Sequence, residues 1–388
     1  MQTTRRPLLV VLAAALALLA GCGGGDDPAG PKVAISRVVV AGDSLADVGT
    51  FGAKFTVQNS ADPAAGFPIF PQIVAQNFGV NSQCNFFRFT GTTFVQNPTP
   101  GCTNFAIGAG RIQNPANQGG AAGPQSIPLQ LATAAQVVGG SYTATDLVLV
   151  DGGGNDSGDL LAAFLGAASG PAGVAAYQAF LAQQLDPATI AATLPQPNGA
   201  ATAAVLYMQK LADTYFTSVK VNALDKGATH VAVLDMPDIS LTPRVQAVLA
   251  SVAQANGGGT AGATAAANVQ GLLRQWTDAF NARLRADVGG DARVAVVPFN
   301  ADFTEEVTHP ADFALTNVTT PACAVVGVVA FGDPSPCTSA ALDAHPPAGL
   351  APGWWQSWAF SDGFHPTPFG HRLLASSVSR ALARAGWL

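Results

Sequence analysis

Charge is what this sequence has least of. Asp, Glu, Lys and Arg make up 11% of its 388 residues, against about 25% in an average soluble protein. The net charge is −6, with no run of Lys or Arg beyond Arg5-Arg6. Nucleic acid is held mostly through cationic contacts to phosphate, so it is excluded as a partner. The unbroken apolar run Leu8–Ala20 has 13 residues, short of the about 20 that a membrane-spanning helix needs. HExxH and CxxC pairs are absent, which removes the common zinc patterns. So is G-x-S-x-G, the nucleophile elbow of the common α/β-hydrolases. What is present is a 48% hydrophobic content, enough for a sizeable core and too much for a disordered chain.

The first residues read as an address label. Arg5 and Arg6 precede the apolar run, and Leu19-Ala20-Gly21-Cys22 follows. That ending resembles the lipobox of bacterial lipoproteins, which implies removal of residues 1–21 and acylation of Cys22. Residues 22–35, rich in glycine and carrying Asp26 and Asp27, read as a flexible tether. The implied location is the bacterial cell envelope, with the membrane as a partner through the lipid. Cys84, Cys102, Cys323 and Cys337 remain, an even number suited to disulfides in an oxidising compartment. Three pairings are possible. Short loops close most readily, which favours Cys84–Cys102 and Cys323–Cys337.

Five short apolar runs read as buried strands: Arg37–Ala41, Thr103–Ile107, Asp146–Val150, His230–Leu234 and Arg293–Val297. They lack apolar/polar alternation, so both sheet faces should be covered, as in a parallel sheet. Helical patterns lie between them at Ile69–Phe78, Ile127–Val138, Ala200–Leu224, Thr264–Val288 and Thr367 to about Ala385. The class is therefore α/β with a doubly wound parallel sheet, in one domain over residues 36–388. Long connections, notably Phe51–Gly66, Cys84–Cys102, Leu185–Gly199 and Thr308–Pro352, are expected to be decorating loops. The glycines Gly257–Gly259 suit a surface loop better than a domain boundary.

In open α/β sheets, sites form at the carboxyl ends of strands. Gly42-Asp43-Ser44 follows the first strand, Gly108-Ala109-Gly110 the second, and Gly153-Gly154-Asn155-Asp156 the third. Asp362-Gly363-Phe364-His365 precedes the last helix. Together these offer a hydroxyl, small backbone donors, an amide, and a carboxylate three residues from an imidazole. The set GDSLADVG (42–49), NFAIGAG (104–110), GGND (153–156) and DGFH (362–365) resembles the GDSL or SGNH hydrolases, in their block order, over nearly the whole mature chain. The resemblance implies a three-layer α/β/α domain that hydrolyses carboxylic esters, as lipase or esterase, without metal or cofactor.

In that chemistry Ser44 is the nucleophile, His365 its base and Asp362 the residue that orients the imidazole. The oxyanion is expected to meet the Ser44 N–H, the Gly108 N–H and the Asn155 side-chain amide. Ala109 departs from the pattern, since relatives often carry a second glycine there, and this leaves open which amide of 108–110 donates. Asp43 and Asp47 are expected to order the turn. His371, His230, His309 and His345 are expected at the surface or as caps. Trp354, Trp355 and Trp358 line a substrate wall or, more simply, pack. Phe86, Phe87, Phe89 and Phe94 form a lid or the small core of their loop. Two other readings use the same residues: an acyltransferase that passes the acyl group to an alcohol, and an envelope binding protein without catalysis.

Overall fold

The computed structural model describes residues 33–329 and 333–388. The signal segment, Cys22 and residues 23–32 of the tether lie outside the described residues. The remainder of that tether is not loose: Val33 packs on the core and Ile35 is buried.

The described strands are β1 (Arg37–Ala41), β2 (Phe87–Phe89), β3 (Phe94–Gln96), β4 (Asp146–Val150), β5 (Val231–Leu234) and β6 (Val294–Val297). Four of them form a parallel sheet in the order β1-β4-β5-β6, while β2 and β3 make a small antiparallel hairpin. Successive side chains in a strand point to opposite faces, and here both faces are dry. Val38, Val40, Leu147, Leu149 and Leu234 enter one core, and Val39, Val148, Val150, Val231 and Val233 the other. That is why the strand sequences read as continuous apolar runs.

Eleven α-helices are described: α1 (Phe70–Asn77), α2 (Ile127–Val137), α3 (Gly154–Gly166), α4 (Pro171–Leu181), α5 (Pro187–Thr193), α6 (Gly199–Asn222), α7 (Pro243–Ala255), α8 (Gly259–Val288), α9 (Phe299–Thr308), α10 (Ser339–Ala344) and α11 (Pro368–Arg384). Helices α1 and α11 bury Val74, Leu374 and Val378 against one sheet face; α2, α3, α6 and α8 cover the other. The result is a single three-layer α/β domain. All five expected helices form, with α8 beginning five residues early at Gly259. The run Gly257–Gly259 is simply the α7–α8 turn.

Two features differ from the sequence reading. Thr103–Ile107 lies beside β1, through Val40 N–H to Thr103 O (2.9 Å) and Phe105 N–H to Val40 O (2.7 Å), but builds no ladder. The Asn104 side chain donates to Ala46 O and accepts from the Ala106 N–H, and farther on the Ile107 N–H reaches Gly42 O at 3.3 Å, past the end of β1. With this segment counted, the spatial order is the 2-1-3-4-5 of flavodoxin-like sheets, whose switch point flanks the first strand. Second, the supposed loops contain helices: α5 within Leu185–Gly199 and α10 within Thr308–Pro352. Helices α4, α5 and α7 begin with proline, which suits the first helical turn because its missing N–H has no intrahelical partner there. Asp186 and Thr242 cap two of them by accepting from Thr189 and Val245 N–H. Trp354, Trp355 and Trp358 follow the simpler expectation and pack with Val57, Leu342 and the second disulfide.

The disulfides are Cys84–Cys102 and Cys323–Cys337. Such bonds persist in oxidising compartments and point to an exported protein. Among the described residues no helix is long and apolar enough to cross a membrane.

Candidate active site

The turn after β1, the loop 108–111, the first turn of α3 and the loop before α11 converge at the carboxyl end of the sheet. Ser44, 5% exposed, sits directly beyond β1. Its Oγ lies 2.8 Å from His365 Nε2, although 321 residues separate them. The other ring nitrogen, Nδ1, lies 2.6 Å from Asp362 Oδ2. Asp362 Oδ1 accepts from the Phe364 N–H (2.7 Å) and the His365 N–H (2.8 Å). The loop's own amides thus fix the Asp362 carboxyl, which in turn orients the imidazole. Burial works to raise the Asp362 pKa, but the His365 charge and these hydrogen bonds outweigh it and hold the carboxyl below its ordinary value. The Phe55 ring stacks 5.0 Å from the imidazole.

A hydroxyl, an imidazole and a buried carboxylate in one hydrogen-bonded line can deprotonate the hydroxyl as it attacks a carbonyl, the carboxylate stabilising the imidazolium. Donors for the developing oxyanion lie nearby. Among the described residues the Ser44 N–H has no hydrogen-bond acceptor. Asn155, in the first turn of α3, directs its Nδ2 to Gly110 O (3.0 Å) and more distantly to Asp43 Oδ2 (3.5 Å). The third expected donor is corrected. The Gly108 N–H points inward to Asp47 Oδ2 at 2.8 Å, and the Gly110 N–H bonds Ile107 O at 2.9 Å. Ala109 alone of the three keeps an N–H without an acceptor among the described residues, and it lines the cleft beside Ser44.

Ala109 adopts φ +62°, a left-handed conformation that costs a non-glycine residue about 1 kcal/mol. Arg111 holds it there: Nη1 donates to Ala109 O (2.7 Å) while Nε pairs with Asp159 (2.6 Å). Gly108 is required for a different reason, close approach. A Cβ there would lie 2.5 Å from the Phe55 ring and 3.0 Å from Phe51. Gly108→Ala should therefore displace Phe55 from its stack on His365. Misplacing a catalytic group by about 1 Å costs on the order of 10²-fold, so kcat/KM for a nitrophenyl ester should fall by roughly that factor. A loss under threefold would show that the imidazole does not depend on Phe55.

Asp43 and Asp47 order the turn as expected, and the buried acids of the site do more than that. Asp47, fully buried, accepts from the Gly49, Thr50 and Gly108 amides, so it ties the Ser44 turn to the next loop rather than ordering one turn alone. Asp43 and Asp151 are buried side by side. Desolvation first, and then the Asp43 charge, raise the Asp151 pKa well above its ordinary value. Asp43 accepts from the Leu45 N–H. Asp156 accepts from the Ile112 and Gln113 amides, and burial pushes its pKa up to about 6. Asp43, Asp151 and Asp156 each adjoin glycine or serine, which in sequence looks the same as a solvent turn. His371 is a second correction: it is fully buried in α11, and burial followed by neighbouring His365 pushes its pKa down to about 3. It is a neutral packing residue, whereas His309 and His345 are exposed as expected. Phe86 stacks on Phe105 in the main core, while Phe89 and Phe94 join Phe51 in a small aromatic cluster above the Gly108 loop. Among the described residues no group of three His, Cys, Asp or Glu side chains has metal-binding geometry.

Two clefts meet at Ser44. One, of about 900 Å³ counting its open mouth, runs between Leu45 and helices α9 and α11 and is walled mostly by apolar groups such as Phe299, Phe303 and Leu374. The other holds His365, Ala109 and Asn155 and is flanked by Arg111 and Arg244.

No curated protein matches this chain in sequence. Among solved structures, the crystal structure of phospholipase A1 from Streptomyces albidoflavus is similar over 90% of this chain and 97% of that one, at 15% identity and a TM-score of 0.35. The GDSL-like Lipase/Acylhydrolase family matches residues 38–378, a span that contains every block gathered around Ser44. The chain belongs to the GDSL-like lipase/acylhydrolase family.

Proposed function

We propose that the protein is an exported serine esterase or lipase that cleaves carboxylic esters through an acyl-serine intermediate. The observation that carries this reading is the line Ser44 Oγ–His365 Nε2–Asp362 Oδ2, with separations of 2.8 Å and 2.6 Å across Nε2 and Nδ1. Ser44 Oγ attacks the ester carbonyl as His365 takes its proton. The tetrahedral oxyanion is received by the amides of Ser44 and Ala109 and by Asn155 Nδ2. His365 then protonates the departing alcohol, and water, activated by the same imidazole, releases the acid. Since His365 and Ala109 face the second cleft, the alcohol leaves on that side and the apolar cleft is left for the acyl chain. No cofactor enters these steps.

Acylation of Cys22 and attachment to a membrane belong to the same proposal and rest on the lipobox-like Leu19–Cys22. Both parts are read in one experiment. A fluorophosphonate probe should label the membrane-extracted protein once, at Ser44, and mass spectrometry should find an acylated Cys22 as the first residue. Labelling elsewhere, or none, would remove the nucleophile assignment. An unmodified N-terminus would remove only the anchor.

A further inference from the structure

Helix α9 presents Phe299, Phe303, Glu306 and Val307 on one face, and all four line the apolar cleft that opens at Ser44. Three of them are what an acyl chain requires. Glu306 is not. It is 8% exposed, and among the described residues its carboxyl has no hydrogen-bond or ion-pair partner. The nearby cation is already engaged: Arg380 bonds Asp302 Oδ2 at 2.7 Å, and the Ser377 hydroxyl donates to the same oxygen. Burial first, and then the Asp302 charge, push the Glu306 pKa up to about 8, with Arg380 opposing.

A carboxyl in this position stays neutral at ordinary pH. It then carries one O–H donor and free acceptor lone pairs. The Glu306 oxygens are not among the sealed, unpartnered polar atoms of the described residues but open into the cleft, and an apolar wall without this residue would hold a plain acyl chain better. The unmet hydrogen-bonding capacity therefore points to a ligand that meets it. Ser44 and Glu306 line the same cleft, and the reacting carbonyl is met by the donors around Ser44, so the partner of Glu306 is a group elsewhere on the acyl chain.

We infer that the cleft selects esters of hydroxylated acyl chains, with Glu306 as the residue that receives the chain hydroxyl. A hydroxyl fits because it both gives and takes a hydrogen bond, as the neutral acid does. This inference rests on the reading of Ser44 as nucleophile.

The test uses the purified full chain and 4-nitrophenyl esters of one medium-length acyl group. In the series the hydroxyl is placed at successive carbons, beside the unsubstituted ester and the acetyl ester. In the wild-type protein one hydroxyl position should exceed its neighbours in kcat/KM by about tenfold, a gain the size of one good hydrogen bond. Glu306→Leu should erase that peak and raise the ratio of unsubstituted to acetyl turnover. Glu306→Gln, whose amide also donates and accepts, should keep most of the peak. A profile that is flat in the wild-type protein, or identical in the wild-type and Leu variants, overturns the inference. Should the Leu variant fail to fold, the wild-type peak read from pH 6 to 10 decides. Its height should change through about pH 8, where the carboxyl loses its donor and becomes a charged acceptor, and a peak constant to pH 10 rejects Glu306 as its source. Hydrolysis of the acetyl ester by the wild-type protein separates the two readings. Its presence with a flat profile leaves Ser44 in place and removes only the hydroxyl preference, and its absence removes both.

Discussion

Ser44→Ala should lower kcat for ester hydrolysis by on the order of 10⁴–10⁶, because the step that forms the acyl-enzyme loses its nucleophile. What survives would come from the oxyanion donors acting on bound water. Stability should hardly change. Ser44 Oγ makes one side-chain hydrogen bond, to His365, worth about 1 kcal/mol net, and alanine fits wherever serine does. Thermal unfolding of the variant therefore separates lost chemistry from lost fold. A folded variant that keeps more than a tenth of wild-type turnover would show that another residue does the work.

The second large effect is expected for Asp362→Asn, about 10⁴-fold in kcat at neutral pH. Both Asp362 oxygens are used: Oδ1 by two backbone amides, Oδ2 by the imidazole. Asparagine has one oxygen, and the two amide donors claim it. Its NH₂ then faces His365 Nδ1, so the ring must place its proton on Nε2 and cannot accept the Ser44 proton. The loss should be in kcat with KM little altered, since neither group defines either cleft's apolar wall. The same pair sets a stability difference whose sign follows from the direction of the pKa shift. Asp362 is held below its ordinary value of 3.8 in the folded protein. Its stabilising contribution is complete above that value and is lost as pH falls through the lower, folded one. The wild-type protein should therefore unfold at a higher temperature than Asp362→Asn at pH 6, and the gap should close in stronger acid. Equal unfolding temperatures at pH 6, with unchanged kcat, would make Asp362 a simple cap of the loop.

Much of this architecture was legible in the residues. Buried strands declare themselves as unbroken apolar runs because both sheet faces are covered. Four of the five expected strands form, and the fifth lies beside β1 through a single bridge. Long amphipathic helices such as α6 and α8 are visible by period. The short ones, α4 and α5, were hidden by the prolines that begin them, since proline marks a helix start and a loop equally well. The site residues Ser44, Asn155, Asp362 and His365 were named from four short blocks. Asp362 and His365 needed little else, being three residues apart in a loop that bonds to itself.

Spacing along the chain determined the order of elements, the blocks at the strand ends and the closure of two short disulfide loops, because those depend on local chemistry and side-chain period. It could not say which amide of 108–110 is left open. That depends on where Asp47, 61 residues earlier, directs its second oxygen. Nor could it separate the buried acids Asp43, Asp151, Asp156 and Glu306 from ordinary surface carboxylates. Burial is a property of what packs from other parts of the chain, and only packing decides whether a carboxyl keeps its proton, holds a loop or faces a substrate.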